Sequence, residues 1–305
     1  MRVVVLGGSG FAGRHVCSVL ESAGMTVHDL SRSTGCDLLN EEAAAALIEG
    51  LDPDYIVNCA AVVGSINYVT ERAAEVVDLN MRIILNTYRI ALRCSHATVV
   101  NPIANCAYPG IMEIYREDGL WDGPIHPSAL SYGSTRRMMS VLSECYRQQY
   151  GLRSVNLIVP NMYGPGDSTD PNKTHALNAL VIKAVRAVQE NASRIEVWGT
   201  GKPVREWLYV GDFARLVLDV IQSGDTPTEL VNLAQSMGYS VNELVETITA
   251  AVDYDGEIMR NTEFQDGAPK KVMDNTRFRS RFPDFEFTPI DEGIASTVEY
   301  YRSIL

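Results

Sequence analysis

A chain of 305 residues with 46% hydrophobic and 21% charged side chains has the composition of a globular protein that buries a substantial core. Its formal net charge of -12 repels phosphate backbones and anionic lipid, which excludes nucleic acid and membrane as expected partners and leaves room only for a local basic pocket around a small phosphorylated ligand. The six cysteines, Cys17, Cys36, Cys59, Cys94, Cys106 and Cys145, contain no C-x-x-C pair, so they predict neither a metal site nor a disulfide framework and suit a reducing, cytoplasmic setting.

Met1-Arg2 leads directly into an apolar run over residues 3–6, too short for the apolar region of a secretory leader. The run is continuous, β-branched and closed by glycine, which predicts a buried parallel strand. A helix over 11–23 follows, closed by Gly24, then a strand over 26–30, a helix over 41–49 and a strand over 55–58. The pattern continues with a long helix over 73–93, a strand over 97–100, a helix over 131–149 and a strand over 153–159. Strands alternating with helices predict an α/β fold: a Rossmann-like, doubly wound parallel sheet. After Pro160 the elements shorten: a loop from Gly164, a helix over 175–189, a strand over 195–198, a helix over 212–222, a strand over 230–233 and a helix over 241–252. The expected organisation is a dinucleotide-binding domain over 1–160 with a return segment near 205–235. Residues 161–305 form mainly a smaller α/β C-terminal lobe that holds substrate.

Gly7-Gly8-Ser9-Gly10-Phe11-Ala12-Gly13 lies between the first strand and the first helix. Gly7, Gly10 and Gly13 have G-x-x-G-x-x-G spacing, which lets backbone approach a pyrophosphate and lets the helix N-terminus face its charge. NAD-binding chains place an acid at the end of the second strand to bond the ribose hydroxyls. Ser31 occupies that place here, with Arg32 beside it, and a guanidinium next to a small hydroxyl suits a 2′-phosphate. NADP(H) is therefore expected ahead of NAD, with Asp29 as the competing feature if it points inward.

Tyr132-Gly133-Ser134-Thr135-Arg136 resembles the Tyr-x-x-x-Lys signature of the short-chain dehydrogenase/reductase superfamily, with arginine in the lysine's place. Asp37-Leu38 resembles its adenine-holding pair, and Asn58-Cys59-Ala60-Ala61 its stretch beside the cofactor. Cys106-Ala107-Tyr108-Pro109, the loop from Tyr163 to Asp167 continuing to Leu180, and the run Val197 to Val210 are similar to motifs of the GDP-L-fucose synthase family, within the extended epimerase/dehydratase branch. The match in spacing extends from the glycine loop to about Asp274.

The resemblance implies a soluble homodimer, paired through helices 73–93 and 131–149, that takes a nucleotide-diphosphate sugar. That family epimerises a GDP-4-keto-6-deoxy sugar and reduces its ketone with NADPH. It implies a cysteine and a histidine as the epimerising acid/base pair, here Cys106 and His175, and a tyrosine that protonates the new hydroxyl, here Tyr132. Thiolate and imidazole both suit that proton traffic. It implies cofactor contacts at Gly7, Gly10, Phe11, Gly13, Ser31, Arg32, Asp37, Leu38, Ala60, Tyr132 and Arg136, and substrate contacts at Lys183, Trp198, Arg205 and Lys271. Two departures bear on reduction. Arg136 replaces the lysine, and Ala104 replaces the serine that bonds the substrate oxygen, with Asn105 adjacent as a substitute donor. Three readings follow: an epimerase/reductase with a remodelled relay, a redox-neutral epimerase, or a non-catalytic NADP-binding sensor.

Overall fold

In the computed structural model, which describes residues 1–263, 266 and 268–305, β1 (Arg2–Leu6) buries Val3, Val4, Val5 and Leu6. A strand covered on both faces needs such an unbroken apolar run. After the glycine loop come α1 (Phe11–Ser22), β2 (Thr26–Leu30), α2 (Glu41–Leu51) and β3 (Tyr55–Asn58). Asn40 caps α2 by accepting the Ala43 N–H. Next are α3 (Ile66–Glu71), α4 (Ala73–Arg93), β4 (Thr98–Ala104), α5 (Leu130–Tyr150) and β5 (Ser154–Val159). The chain continues through β6 (Asn161–Tyr163), α6 (Ala176–Gln189), β7 (Arg194–Trp198), β8 (Val204–Arg205), β9 (Trp207–Tyr209), α7 (Val210–Ser223) and β10 (Val231–Asn232). It ends with β11 (Tyr239–Ser240), α8 (Val241–Val252), β12 (Glu257–Asn261), β13 (Lys270–Lys271), α9 (Thr276–Arg281) and α10 (Ile290–Ile304).

Six strands form one parallel sheet in the order β10-β5-β4-β3-β1-β2. From β1 the chain moves outward to β2, and from β3 it moves the other way. The order therefore reverses between β1 and β3, and the loops at their carboxyl ends open a crevice. This is the Rossmann-like doubly wound arrangement. The two-residue period of the strands sends Val4, Leu6, Ile56 and Val99 to the face covered by α2, α4 and α5. Val3, Val5, Val57 and Val100 go to the face covered by α1 and α7. A third core joins Leu177 and Val181 of α6 to Leu244 and Ile248 of α8 and Ile294, Val298 and Tyr301 of α10. β8 is flanked by β11 and β13, β12 pairs with β7, and β6 pairs with β9.

β4 runs past the predicted 97–100 to Ala104. Asn101-Pro102 reads as a break, because proline gives the ladder no donor. The parallel register nevertheless continues through Pro102 opposite Leu157 to Ala104 opposite Val159. This extension delivers Asn105 and Cys106 to the carboxyl edge. Among the described residues no helix is long and apolar enough to cross a membrane.

Candidate active site

The glycine loop brings three backbones together. Gly7 has φ +74°, and a Cβ there would lie 3.0 Å from the Ala60 backbone. A methyl at Gly13 would come 2.7 Å from Gly8 Cα and collide with the Gly7 carbonyl. α1 starts at Phe11 with Gly10 as a cap that offers no side chain, and its first turn holds no acid. Its first N–H groups are thus left for an anion, and the cradle fits a dinucleotide pyrophosphate.

At the end of β2 both competing features are present. A Cβ on Gly8 would lie 2.5 Å from Asp29 Oδ1, so the Asp29 carboxylate faces the glycine loop. The Ser31 hydroxyl donates to Asp29 Oδ1 at 3.0 Å, and Ser9 Oγ lies 2.8 Å from Ser31 Oγ and 2.9 Å from Ser33 Oγ. The Arg32 side chain is exposed and makes no hydrogen bond or ion pair with the described residues. Asp37 is exposed and accepts the Leu39 N–H at 3.0 Å, while Leu38 is buried with its carbonyl held by Asn86.

α5 positions Tyr132 and Arg136 one turn apart on one face. Arg136 is 2% exposed. Its Nη2 donates to Asn80 Oδ1 on α4 at 2.8 Å, and its guanidinium centre lies 4.9 Å from the Tyr132 ring. Asn80 is pinned in turn, accepting the Val62 N–H at 3.1 Å and donating to Val62 O and Val76 O at 2.8 Å each. Burial pushes the Tyr132 phenol above its ordinary pKa, Arg136 pulls it down, and Cys106 pushes it up.

Ala104 ends β4, and Asn105, Cys106 and Ala107 form a tight turn after it. Asn105 is buried, and its Nδ2 has no partner among the described residues. Burial raises the Cys106 thiol, and Lys271 and then Arg136 lower it. β13 runs parallel to β8 with Lys271 opposite Arg205. Burial lowers Lys271 to about 8, opposed by Cys106 and reinforced by Arg205. Burial also lowers Arg205, whose Nη1 donates to Val204 O at 2.8 Å. Neither cation forms a salt bridge among the described residues, although Asp266 pulls Arg205 upward, and an anion between the two would offset the cost of their burial. Gly267, four residues before Lys271, lies outside the described residues.

His175 caps α6 rather than opening it. Asp167, 6% exposed, holds it: Asp167 Oδ2 accepts the His175 N–H at 2.8 Å and the Asn178 amide at 2.9 Å, and lies 3.0 Å from His175 Nδ1. A carboxylate on Nδ1 fixes the ring and leaves Nε2 without a partner among the described residues. Burial pushes Asp167 up, but the bonds from His175 and Asn178 win and hold it below the usual carboxylate range. The imidazole lies 5.4 Å from the Phe11 ring, so His175 sits at the mouth of the glycine loop. Lys183 and Trp198 form a separate pair. Lys183 Nζ donates to Glu196 O at 2.7 Å and lies 5.9 Å from the Trp198 ring.

Glu206 has no exposed surface, and the motif reading gave it no role. Its carboxylate accepts backbone N–H groups of Gln235 (2.5 Å), Ser236 (3.0 Å) and Met273 (2.9 Å), tying the strand of Arg205 to that of Lys271. Burial lifts it to about 7 against those three donors. A folded pKa above the unfolded value gives stability that is complete below the unfolded pKa and lost as pH rises through the folded one. Thermal unfolding between pH 5 and pH 8 should therefore show ~3 kcal/mol of falling stability from this group. Glu206→Gln should flatten that slope, and an unchanged slope would remove Glu206 as its source. The roles of Asn80, Asp167 and Glu206 all escape sequence reasoning, although Asp167 lies 8 residues before His175, the cap of α6, and 11 before Asn178 in its first turn.

A family profile described as the NAD dependent epimerase/dehydratase family matches residues 3–234. The GDP-L-fucose synthase of Dictyostelium discoideum is 27% identical over 308 residues, covering 98% of this chain and 94% of that protein. The GDP-L-fucose synthase of Escherichia coli K12 is 28% identical over 313 residues, covering 98% and 96%. The structure of a GDP-L-fucose synthetase from Naegleria fowleri bound to NADP superposes with a TM-score of 0.88 at 26% identity, covering 98% of this chain and 92% of that one.

Proposed function

The chain belongs to the NAD dependent epimerase/dehydratase family, and on that premise we propose that it is an NADP(H)-dependent epimerase/reductase acting on a GDP-linked 4-keto-6-deoxy sugar. Full-length similarity to GDP-L-fucose synthases and to an NADP-bound relative supports the reaction type and the cofactor. The observation that carries the reading is the distribution of chemistry around the crevice. The Arg136 guanidinium lies 4.9 Å from the Tyr132 ring and acts on the Cys106 thiol together with Lys271, and His175 stands on Asp167 beside Phe11 of the glycine loop.

In this reading Arg205 and Lys271 neutralise the diphosphate end of the substrate. Cys106 removes a proton next to the ketone, and His175 returns one on the other face. Tyr132 protonates the carbonyl oxygen, with Arg136 holding its pKa down. A dinucleotide held by the glycine loop and the N-terminus of α1 would supply hydride to the ketone. Ala104 offers the oxygen no hydrogen bond, and the unpartnered Asn105 amide stands next to it as the available donor. The Arg32 cation suits a 2′-phosphate, although Asp29 faces the same loop. The same reading makes the protein a cytosolic homodimer paired through α4 and α5.

A redox-neutral epimerase is the second reading, favoured by Ala104 and Arg136. Incubating the protein with GDP-4-keto-6-deoxymannose in heavy water, with and without NADPH, separates the two. Deuterium uptake with NADPH oxidation supports the epimerase/reductase. Uptake alone leaves the epimerase, and neither signal beside tight NADP binding leaves a sensor. Cys106→Ser should reduce deuterium uptake at least ~10-fold with NADPH affinity preserved. Unchanged uptake removes Cys106 from the chemistry.

A further inference from the structure

Arg137 follows Arg136 on α5 and is withdrawn from water as well, at 9% exposed. Its Nε donates to the Ala107 carbonyl at 2.7 Å and its Nη1 to the Gly123 carbonyl at 3.3 Å. The guanidinium centre lies 5.0 Å from the Trp121 ring. Its Nη2 is buried with no partner, and no carboxylate pairs with it among the described residues. Burying such a cation costs several kcal/mol after relaxation, so a leucine or methionine would fill this space more cheaply. What the guanidinium alone can do here is hold two carbonyls in a planar fork.

The carbonyl it holds most closely belongs to the residue after Cys106. The rest of that turn is fixed from the other side. The Tyr108 N–H closes the turn on Asn105 O at 3.1 Å, and the buried Tyr108 hydroxyl donates to Asn232 Oδ1 at 2.7 Å. Without Arg137, the Ala107–Tyr108 peptide that closes the Cys106 turn would be held through its N–H alone. We propose that Arg137 is a positioning residue for Cys106, fixing the Ala107 carbonyl and with it the tight turn that carries the thiol. The two adjacent arginines then divide the site: Arg136 serves the Tyr132 phenol, and Arg137 serves the Cys106 thiol. This rests on the epimerase reading for its kinetic consequence but not for its effect on the thiol.

The test compares wild type with Arg137→Met and Arg137→Lys in the full chain. The first measurement is iodoacetamide labelling of each cysteine at pH 8, followed by mass spectrometry. Both variants should label Cys106 ~10-fold more slowly, because the displaced thiol loses the cation that favours its thiolate. Exposed Cys145 should label as before, and buried Cys36 and Cys94 should stay protected. The second measurement is deuterium uptake into GDP-4-keto-6-deoxymannose. Its kcat should fall ~10–100-fold with KM within about threefold, the signature of a misplaced group rather than weakened binding.

Cys106 labelling at the wild-type rate or faster overturns the proposal. So does slow labelling accompanied by opening of Cys36 and Cys94, which would mark a general loosening of the fold. Full wild-type behaviour of Arg137→Lys overturns it too, since charge without the fork would then suffice. If wild type incorporates no deuterium, the assigned substrate falls, and the labelling arm still decides the role of Arg137.

Discussion

Asp167→Asn is expected to slow deuterium uptake from heavy water into the keto sugar by ~10²-fold, with the NADPH dissociation constant changed by less than about threefold. The Asp167 carboxylate receives four donors: the His175 N–H, the His175 ring, the Asn178 amide and the Ser168 N–H. An asparagine can keep its oxygen toward His175 only by turning its NH₂ group against the Ser168 N–H. The ring then loses a charged acceptor 3.0 Å from Nδ1. A unit charge at that range is worth ~5.5 kcal/mol at an effective dielectric near 20, and partial exposure of the ring reduces that to the stated rate effect. The folded pKa of Asp167 lies below its unfolded value, so its contribution to stability is present above the unfolded pKa and disappears as pH falls through the folded one. Asp167→Asn should therefore also weaken the acid dependence of unfolding. Uptake at the wild-type rate in a folded variant would take His175 out of the proton transfer.

Much of the fold is legible because its signals are local. The parallel strands are apolar runs closed by turn residues, and the helices between them carry an apolar stripe. Elements that escape do so for identifiable reasons. β8, β11 and β13 are two residues long, too short to show any period. α10 buries Gly293, Ile294, Thr297, Val298 and Tyr301, and two of those five are residues that pattern reading treats as neutral. β12 is only partly buried and contains Arg260 and Asn261, so no apolar alternation marks it.

The site divides along the same line. Glycine spacing, the Tyr132 signature, Cys106 and Arg205 stand in recognisable motifs. Asn80 and Arg137 do not, and the motifs that contain Asp167 and Glu206 give those two no role, because all four act on groups brought close only by the tertiary fold: Asn80 meets Arg136 across 56 residues, and Glu206 meets Met273 across 67. Buried charge is also invisible to a reading that assigns arginine and glutamate to the surface. Lys183 falls on both sides. The resemblance implies a substrate contact there, and the fold adds a bond from its amine to the Glu196 carbonyl that no motif announces.

Arg136→Met is expected to lower NADPH oxidation on the keto sugar by ~10²-fold, whereas Arg136→Lys should match or exceed wild type. The Arg136 guanidinium centre lies 4.9 Å from the Tyr132 ring, in surroundings that push the phenol up by burial. A unit charge at ~5 Å and an effective dielectric near 20 is worth ~3 kcal/mol, which is about two units of phenol pKa and the rate factor given. Methionine fills similar volume, and Asn80 keeps three bonds to the Val62 and Val76 backbone, so the helix pair α4 and α5 should survive the change. Lysine restores a compact ammonium. One of its protons can replace the Arg136 bond to Asn80 Oδ1, and the others remain for the phenol and a ribose hydroxyl, without the buried Nε that arginine leaves unpartnered. Deuterium uptake should fall less than oxidation in Arg136→Met, because Lys271 outranks Arg136 in its pull on the Cys106 thiol. Oxidation by Arg136→Met at the wild-type rate would mean that Tyr132 needs no neighbouring cation, and a collapse in Arg136→Lys would mean that the planar guanidinium itself is required.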